Sequence, residues 1–227
     1  MGRRAALIRL WEITFGYDST RDVLSKLSFT FSEGDRVGLT GPNGSGKTTL
    51  FHIILGLLKP GEGEIEIFGK TIHEEADFRE ARERIGLLFQ DANDQLFCPT
   101  VAEDVAFGPL NLGKRYDEAQ KVVRETLETL GLAGFEERVT YKLSDGERKL
   151  VSLATVLAMK PEVLLLDEPT SGLDEETTER IIQVLNRCSS KSYMIISQDK
   201  GLLARTTRCI YRMANGKLEE LTDRNPL

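Results

Sequence analysis

A chain of 227 residues with 40% hydrophobic content can build one large mixed core, and is too short for two full domains. Its 36 acidic residues against 30 basic ones leave a net charge of −6, a field that repels nucleic-acid phosphates and anionic lipid surfaces alike, so no nucleic-acid partner is expected. Cys98, Cys188 and Cys209 form no C-x-x-C pair, which argues against a disulfide framework or zinc site, and no apolar run approaches the roughly 20 residues that cross a bilayer.

The opening third alternates short β-type runs, at residues 6–12, 27–31, 36–40 and 64–68, with turn signals at 32–35 and 60–63. This predicts a twisted sheet with an antiparallel portion. The run at 36–40 leads into a glycine-rich loop, and the apolar residues 50–55 that follow have the length and flanks of a helix. From about Ala92 to Lys160 the composition is helical, with Val122, Val123, Leu127 and Leu130 at helical spacing. An inserted helical subdomain over 92–160 is expected, with residues 1–91 and 161–227 forming the core and a β subdomain. Buried-strand runs return at 163–166 and 192–196, separated by a helix near 175–187, and a hairpin is expected around Asn215-Gly216.

The loop reads Gly41-Pro42-Asn43-Gly44-Ser45-Gly46-Lys47-Thr48 and fits G-x-x-x-x-G-K-[ST] between a strand and a helix. Glycines let backbone N–H groups converge on phosphate oxygens, and the helix N-terminus adds about half a positive charge facing them. Asn43, Gly44, Ser45, Gly46, Lys47, Thr48 and Thr49 are therefore the expected nucleotide-binding run. Lys47 is expected on the β- and γ-phosphates and Thr48 on magnesium.

The apolar run at 163–166 ends in Asp167-Glu168, two carboxylates whose burial is costly unless a cation or substrate uses them. Asp167 is assigned to magnesium and Glu168 to polarising the attacking water. Leu143-Ser144-Asp145-Gly146-Glu147 opens a further helix, with Ser144 and Glu147 spaced as a capping box.

That last segment, placed just before the Asp167 strand, resembles the L-S-G-G-Q signature of ABC ATPases. The resemblance then covers nearly the whole chain. Tyr17, in Phe15-Gly16-Tyr17, is similar to the aromatic that stacks on adenine. Gln90, in Leu88-Phe89-Gln90, resembles the glutamine-loop residue near magnesium and water. Ser171-Gly172-Leu173-Asp174 is similar to the loop that crosses the dimer interface, which makes Asp174 a further binding residue.

The implied fold is an α/β P-loop NTPase of ABC type, with an antiparallel β subdomain and an inserted helical subdomain. Its implied ligands are ATP and Mg2+. Nucleotide would lie between Lys47, Thr48, Gln90, Asp167 and Glu168 of one copy and Ser144 and Gly146 of another, a homodimer or a pair of related subunits. Integral membrane transporter subunits would complete the assembly at the cytoplasmic face, with no direct membrane insertion by this chain. The segments 94–97, 99–101 and 103–109, together with 157–161, narrow the resemblance to energy-coupling-factor importers of cobalt, nickel or vitamins. Their mixture of Asp91, Asp94, Glu103 and Asp104 with Leu96, Phe97 and Phe107 suits a groove for a membrane-subunit helix carrying arginine. An ATPase of another ABC transporter class, or an ABC switch protein without a transporter, is the alternative.

Two positions depart from the pattern. Asp145 replaces the first signature glycine, which predicts weaker dimer closure. Gln198 stands where the switch histidine is expected; its neutral amide donates a hydrogen bond but carries no charge and shuttles no proton, which predicts slow hydrolysis with ATP binding kept.

Overall fold

The computed structural model describes residues 4–18, 21–188 and 192–221. Its elements run β1 (Ala6–Phe15), β2 (Leu24–Ser32), β3 (Arg36–Thr40), α1 (Lys47–Ile54), β4 (Glu62–Ile67), β5 (Lys70–Thr71), α2 (Glu75–Arg84) and β6 (Ile85–Leu88). They continue with α3 (Val101–Asn111), α4 (Tyr116–Thr129), α5 (Asp145–Ala158), β7 (Val163–Asp167), α6 (Glu175–Arg187), β8 (Ser192–Ile196), α7 (Lys200–Thr206), β9 (Cys209–Ala214) and β10 (Lys217–Glu220). The chain divides into two compact units, one of Met1–Ile85 with Lys191–Leu227 and one of Gly86–Ser190.

In the first unit an antiparallel sheet has the order β2-β1-β4-β5. Alternation along β1 buries Ile8 and Leu10 and then breaks. Glu12 takes a positive φ of 47°, the register shifts between Leu10 and Ile13, and Ile13 is buried beyond the bulge. That bulge is why the period-two pattern ends at residue 12 while the strand continues to Phe15.

The same unit holds β10-β9-β3-β8, with β3 parallel to both β8 and β9. The β9–β10 hairpin turns on Asn215 and Gly216, both with positive φ, as a tight two-residue turn requires. Leu39, Leu50, Phe51, Ile53 and Ile54, together with Tyr193 to Ile196 of β8, are all buried. Helix α2 was not anticipated: Ala81 is its one buried residue, so it has no apolar stripe, and its start is secured by Asp77 accepting the amides of His73 (3.0 Å) and Glu74 (3.1 Å).

In the second unit α3, α4 and α5 pack on one another, and β6 lies beside β7. The α4 stripe of Ala119, Val122, Val123 and Leu127 is buried as its spacing predicts. Every residue of β7 is buried, which is why it reads as a continuous apolar run. Among the described residues no helix is long and apolar enough to cross a membrane.

Candidate functional site: a phosphate loop and a signature helix

The phosphate loop leaves β3 at Thr40 and enters α1 at Lys47. Gly41, Gly44 and Gly46 have φ of 140°, 73° and 102°, a region costly for side-chain-bearing residues. A Cβ on Gly41 would stand 2.3 Å from the Met213 carbonyl oxygen, so the loop's first turn is packed against β9 with no room for a side chain. Gly46 caps α1 without a side-chain hydrogen bond, and the first turn holds no acidic residue. The helix N-terminus is thus electropositive and shaped for an anion.

Lys47 is buried, and its ammonium donates to the carbonyls of Gly41 (2.9 Å) and Pro42 (3.0 Å). Ser45 Oγ is buried without a hydrogen-bond partner among the described residues, an orphaned polar atom inside the loop. Asn43 and Gly44 are exposed at the loop's crest, and Thr48 is half-buried in the first turn of α1. Tyr17 is 65% exposed, its hydroxyl 3.0 Å from Thr49 Oγ1 and its ring edge-on to Phe15 at 5.0 Å. The ring is held at its tip while its body stays open to stacking. Gln198, just past β8, donates its side-chain amide to the Gly41 carbonyl.

In the second unit Asp167 closes β7 and is buried. Glu168 follows with φ 44°, a conformation that non-glycine residues adopt rarely and that clusters at functional sites. Gln90 follows β6, and its carbonyl accepts from the Lys149 ammonium at 2.7 Å. Lys149 lies in α5 and is itself buried; burial pulls its affinity for the proton down, while the charges of Asp167, Asp91 and Glu168 push it back up. The sequence reading missed this residue. Its signal was positional: Lys149, Leu153 and Val156 occupy one buried helical stripe.

Ser144 caps α5: its hydroxyl accepts the Glu147 amide (3.3 Å), and Glu147 accepts the Ser144 amide (2.8 Å). That amide, with the Ser144 hydroxyl and Arg138 adding to it, holds the Glu147 carboxyl below its usual range. Asp145 forms an ion pair with Arg148, a compensation the sequence reading did not foresee. Gly146 faces Thr177, whose Oγ1 would lie 3.3 Å from an added Cβ. Asp174 caps α6 by accepting the Thr177 amide at 2.7 Å, and that bond lowers its carboxyl pKa.

In the segment read as a docking surface, Phe97 and Phe107 meet edge-on at 4.8 Å and are 66% and 46% exposed. The two acidic residues beside them are engaged within the chain. Glu103 accepts the Thr100 amide and hydroxyl, and buried Asp104 accepts the amides of Phe97 (3.1 Å) and Cys98 (3.0 Å).

The chain is similar to known proteins. Residues 24–171 match the family model of the ABC transporter. A protein of Nitratidesulfovibrio vulgaris, provisionally named an ABC transporter ATP-binding protein, is 51% identical over 211 residues, covering 92% of this chain and 77% of the relative. The energy-coupling factor transporter ATP-binding protein EcfA of Methanothermobacter thermautotrophicus is 41% identical over 215 residues, covering 93% of this chain and 69% of the relative. The solved structure of cbiO1 from Clostridium perfringens, part of the ABC transporter complex cbiONQ, has a TM-score of 0.84 at 31% identity, covering 95% of this chain and 87% of that one. The chain belongs to the ABC transporter family, and its α/β fold is that family's ATP-hydrolysing domain.

Proposed function

We propose that this chain is the ATPase of an energy-coupling-factor importer for cobalt, nickel or a vitamin, bound peripherally at the cytoplasmic face through membrane subunits. The observation that carries this is the 41% identity to EcfA over 93% of the chain. The exposed Phe97–Phe107 pair supports it, being an apolar patch suited to a partner helix.

In this reading the amides of the glycine loop and Lys47 hold the β- and γ-phosphates, and Tyr17 stacks on the base. The orphaned Ser45 hydroxyl and the uncapped α1 N-terminus fit a phosphate group. Magnesium would be held by few protein groups together with phosphate oxygens and water. Thr48, Gln90 and Asp167 are the residues assigned to it, and it supplies neutralisation of phosphate charge. Glu168 polarises the attacking water, and Gln198 donates a neutral hydrogen bond where a histidine would carry charge.

Ser144 and Gly146 receive the γ-phosphate of a second copy or a related subunit, with Asp174 beside them at the interface. ATP thereby favours the closed pair, and hydrolysis removes that preference. Co-purification should recover a polytopic membrane subunit together with MgATP hydrolysis. Recovery of active chain with no membrane partner, from cells expressing its genomic neighbours, refutes the importer reading and leaves the ABC switch protein.

A further inference from the structure

The main chain of Phe89 and Gln90 is tied to helix α5 from two sides. Lys149 donates to the carbonyls of Phe89 (3.0 Å) and Gln90 (2.7 Å). Gln95 accepts the Phe89 amide (3.1 Å) and passes the tie on, donating to Ser152 O (3.1 Å) and Thr155 Oγ1 (3.0 Å), both on α5. Lys149 is 4% exposed. An ammonium is buried at such a place only where acceptors and opposite charge compensate it, and here two carbonyls and the nearby Asp167, Asp91 and Glu168 do so.

The position matters because of what lies at each end. Ser144, at the N-terminus of α5, is about 8 Å along the helix axis from Lys149 at 1.5 Å per residue. At the other end of the tie is the backbone of Gln90. We infer that Lys149 is a positioning residue that fastens Gln90 to the signature helix, so that engagement of Ser144 by a partner copy's nucleotide carries Gln90 of the same chain with it. The inference rests on the roles given above to Ser144 and Gln90. It extends them by making the occupancy of one nucleotide site a condition for Gln90 placement in the other, carried by the Lys149 and Gln95 ties to α5.

The test is hydrogen exchange by mass spectrometry on the full chain, read at the peptide over residues 86–95, together with MgATP turnover. Lys149→Met should speed exchange in that peptide and lower kcat about 10- to 100-fold, with KM within about twofold, the pattern of a misplaced catalytic group and not of lost binding. Lys149→Arg keeps the charge and donors and should restore most of both. Should Lys149→Met fail to fold, Gln95→Leu cuts the second tie and carries the same expectation. Unchanged exchange, or unchanged kcat despite faster exchange, overturns the inference. A parent chain that binds no MgATP refutes the functional reading instead, and the exchange arm still decides whether Lys149 holds the segment.

Discussion

Lys47 and Gln198 donate to the same acceptor, the carbonyl oxygen of Gly41. That carbonyl belongs to a residue with no room for a Cβ against Met213, so the position of both donors is fixed by the backbone of β9 as much as by the loop. Gln198 is therefore held at the head of the phosphate loop, and in the proposed function its neutral amide donates a hydrogen bond without carrying charge. Gln198→His should raise turnover of the assembled complex by about 10²- to 10³-fold, the size of effect seen when a comparable transition-state donor is removed. Equal rates for parent and variant would remove the role given to position 198.

Ser144 has a structural duty and a proposed functional one, and the two separate by magnitude. Losing the cap in Ser144→Ala costs about 1 kcal/mol, a fall of about 2–4 °C in melting temperature for a chain of this size. The fold survives that loss. ATP-dependent dimerisation, measured by sedimentation in a Glu168→Gln background that holds ATP unhydrolysed, should disappear. Dimers forming at the parent ATP concentration would mean that the α5 N-terminus does not meet nucleotide.

Asp145 faces the same test with the opposite sign. Its pairing with Arg148 is exposed on the aspartate side, so the pair contributes at most about 1 kcal/mol to the fold. It leaves a carboxylate where the signature glycine is expected. Asp145→Gly should lower the ATP concentration needed for dimerisation while melting slightly earlier, since glycine is a poor helix residue. A variant needing more ATP than the parent would show that Asp145 and Arg148 assist closure.

The glycine loop and β7 were legible because each has a strong one-dimensional signal, a spaced motif in one and a run buried throughout in the other, and β3 was legible as the short strand leading into the loop. Helix α1 begins at Lys47 and not at Leu50, since its polar first turn reads as loop. Helix α2, with one buried alanine, offers no periodicity to read. Among the site residues, Lys149 stayed hidden because its acceptors are main-chain atoms 59 and 60 residues away, and composition says nothing of carbonyls. Glu103 and Asp104 were read as charges offered to a partner. Asp104 is buried and accepts two backbone amides of its own chain, while Glu103 stays exposed with one oxygen on the Thr100 amide and hydroxyl, a difference that residue type alone does not show.

Asp104 gives a pH prediction. Burial raises its carboxyl pKa above the usual 3.8, outweighing the amides of Cys98 and Phe97 that lower it, and Oδ2 has no hydrogen-bond partner among the described residues. A carboxyl with a raised folded-state pKa favours its neutral form in the fold. The cost of its charge is absent below 3.8, grows as pH rises from there to the raised folded value, and is complete above it. Asp104→Asn keeps an oxygen for the two amides and removes the charge, so it should be at least as stable as the parent near neutrality, with the difference closing toward acid pH. Asp104→Ala strands both amides and should cost about 1–3 kcal/mol at acid pH, partly offset at higher pH by loss of the charge. The neighbouring Cys98 thiol, pushed up to about 11 by burial first and by the Asp104 charge second, supplies an independent readout. With that charge gone, alkylation at Cys98 should be faster in Asp104→Asn at neutral pH, because more thiolate is present. Stability curves for parent and Asp104→Asn that run parallel from about pH 4 to about pH 8, with equal Cys98 alkylation, would show that the Asp104 carboxylate is solvated and open to a partner after all.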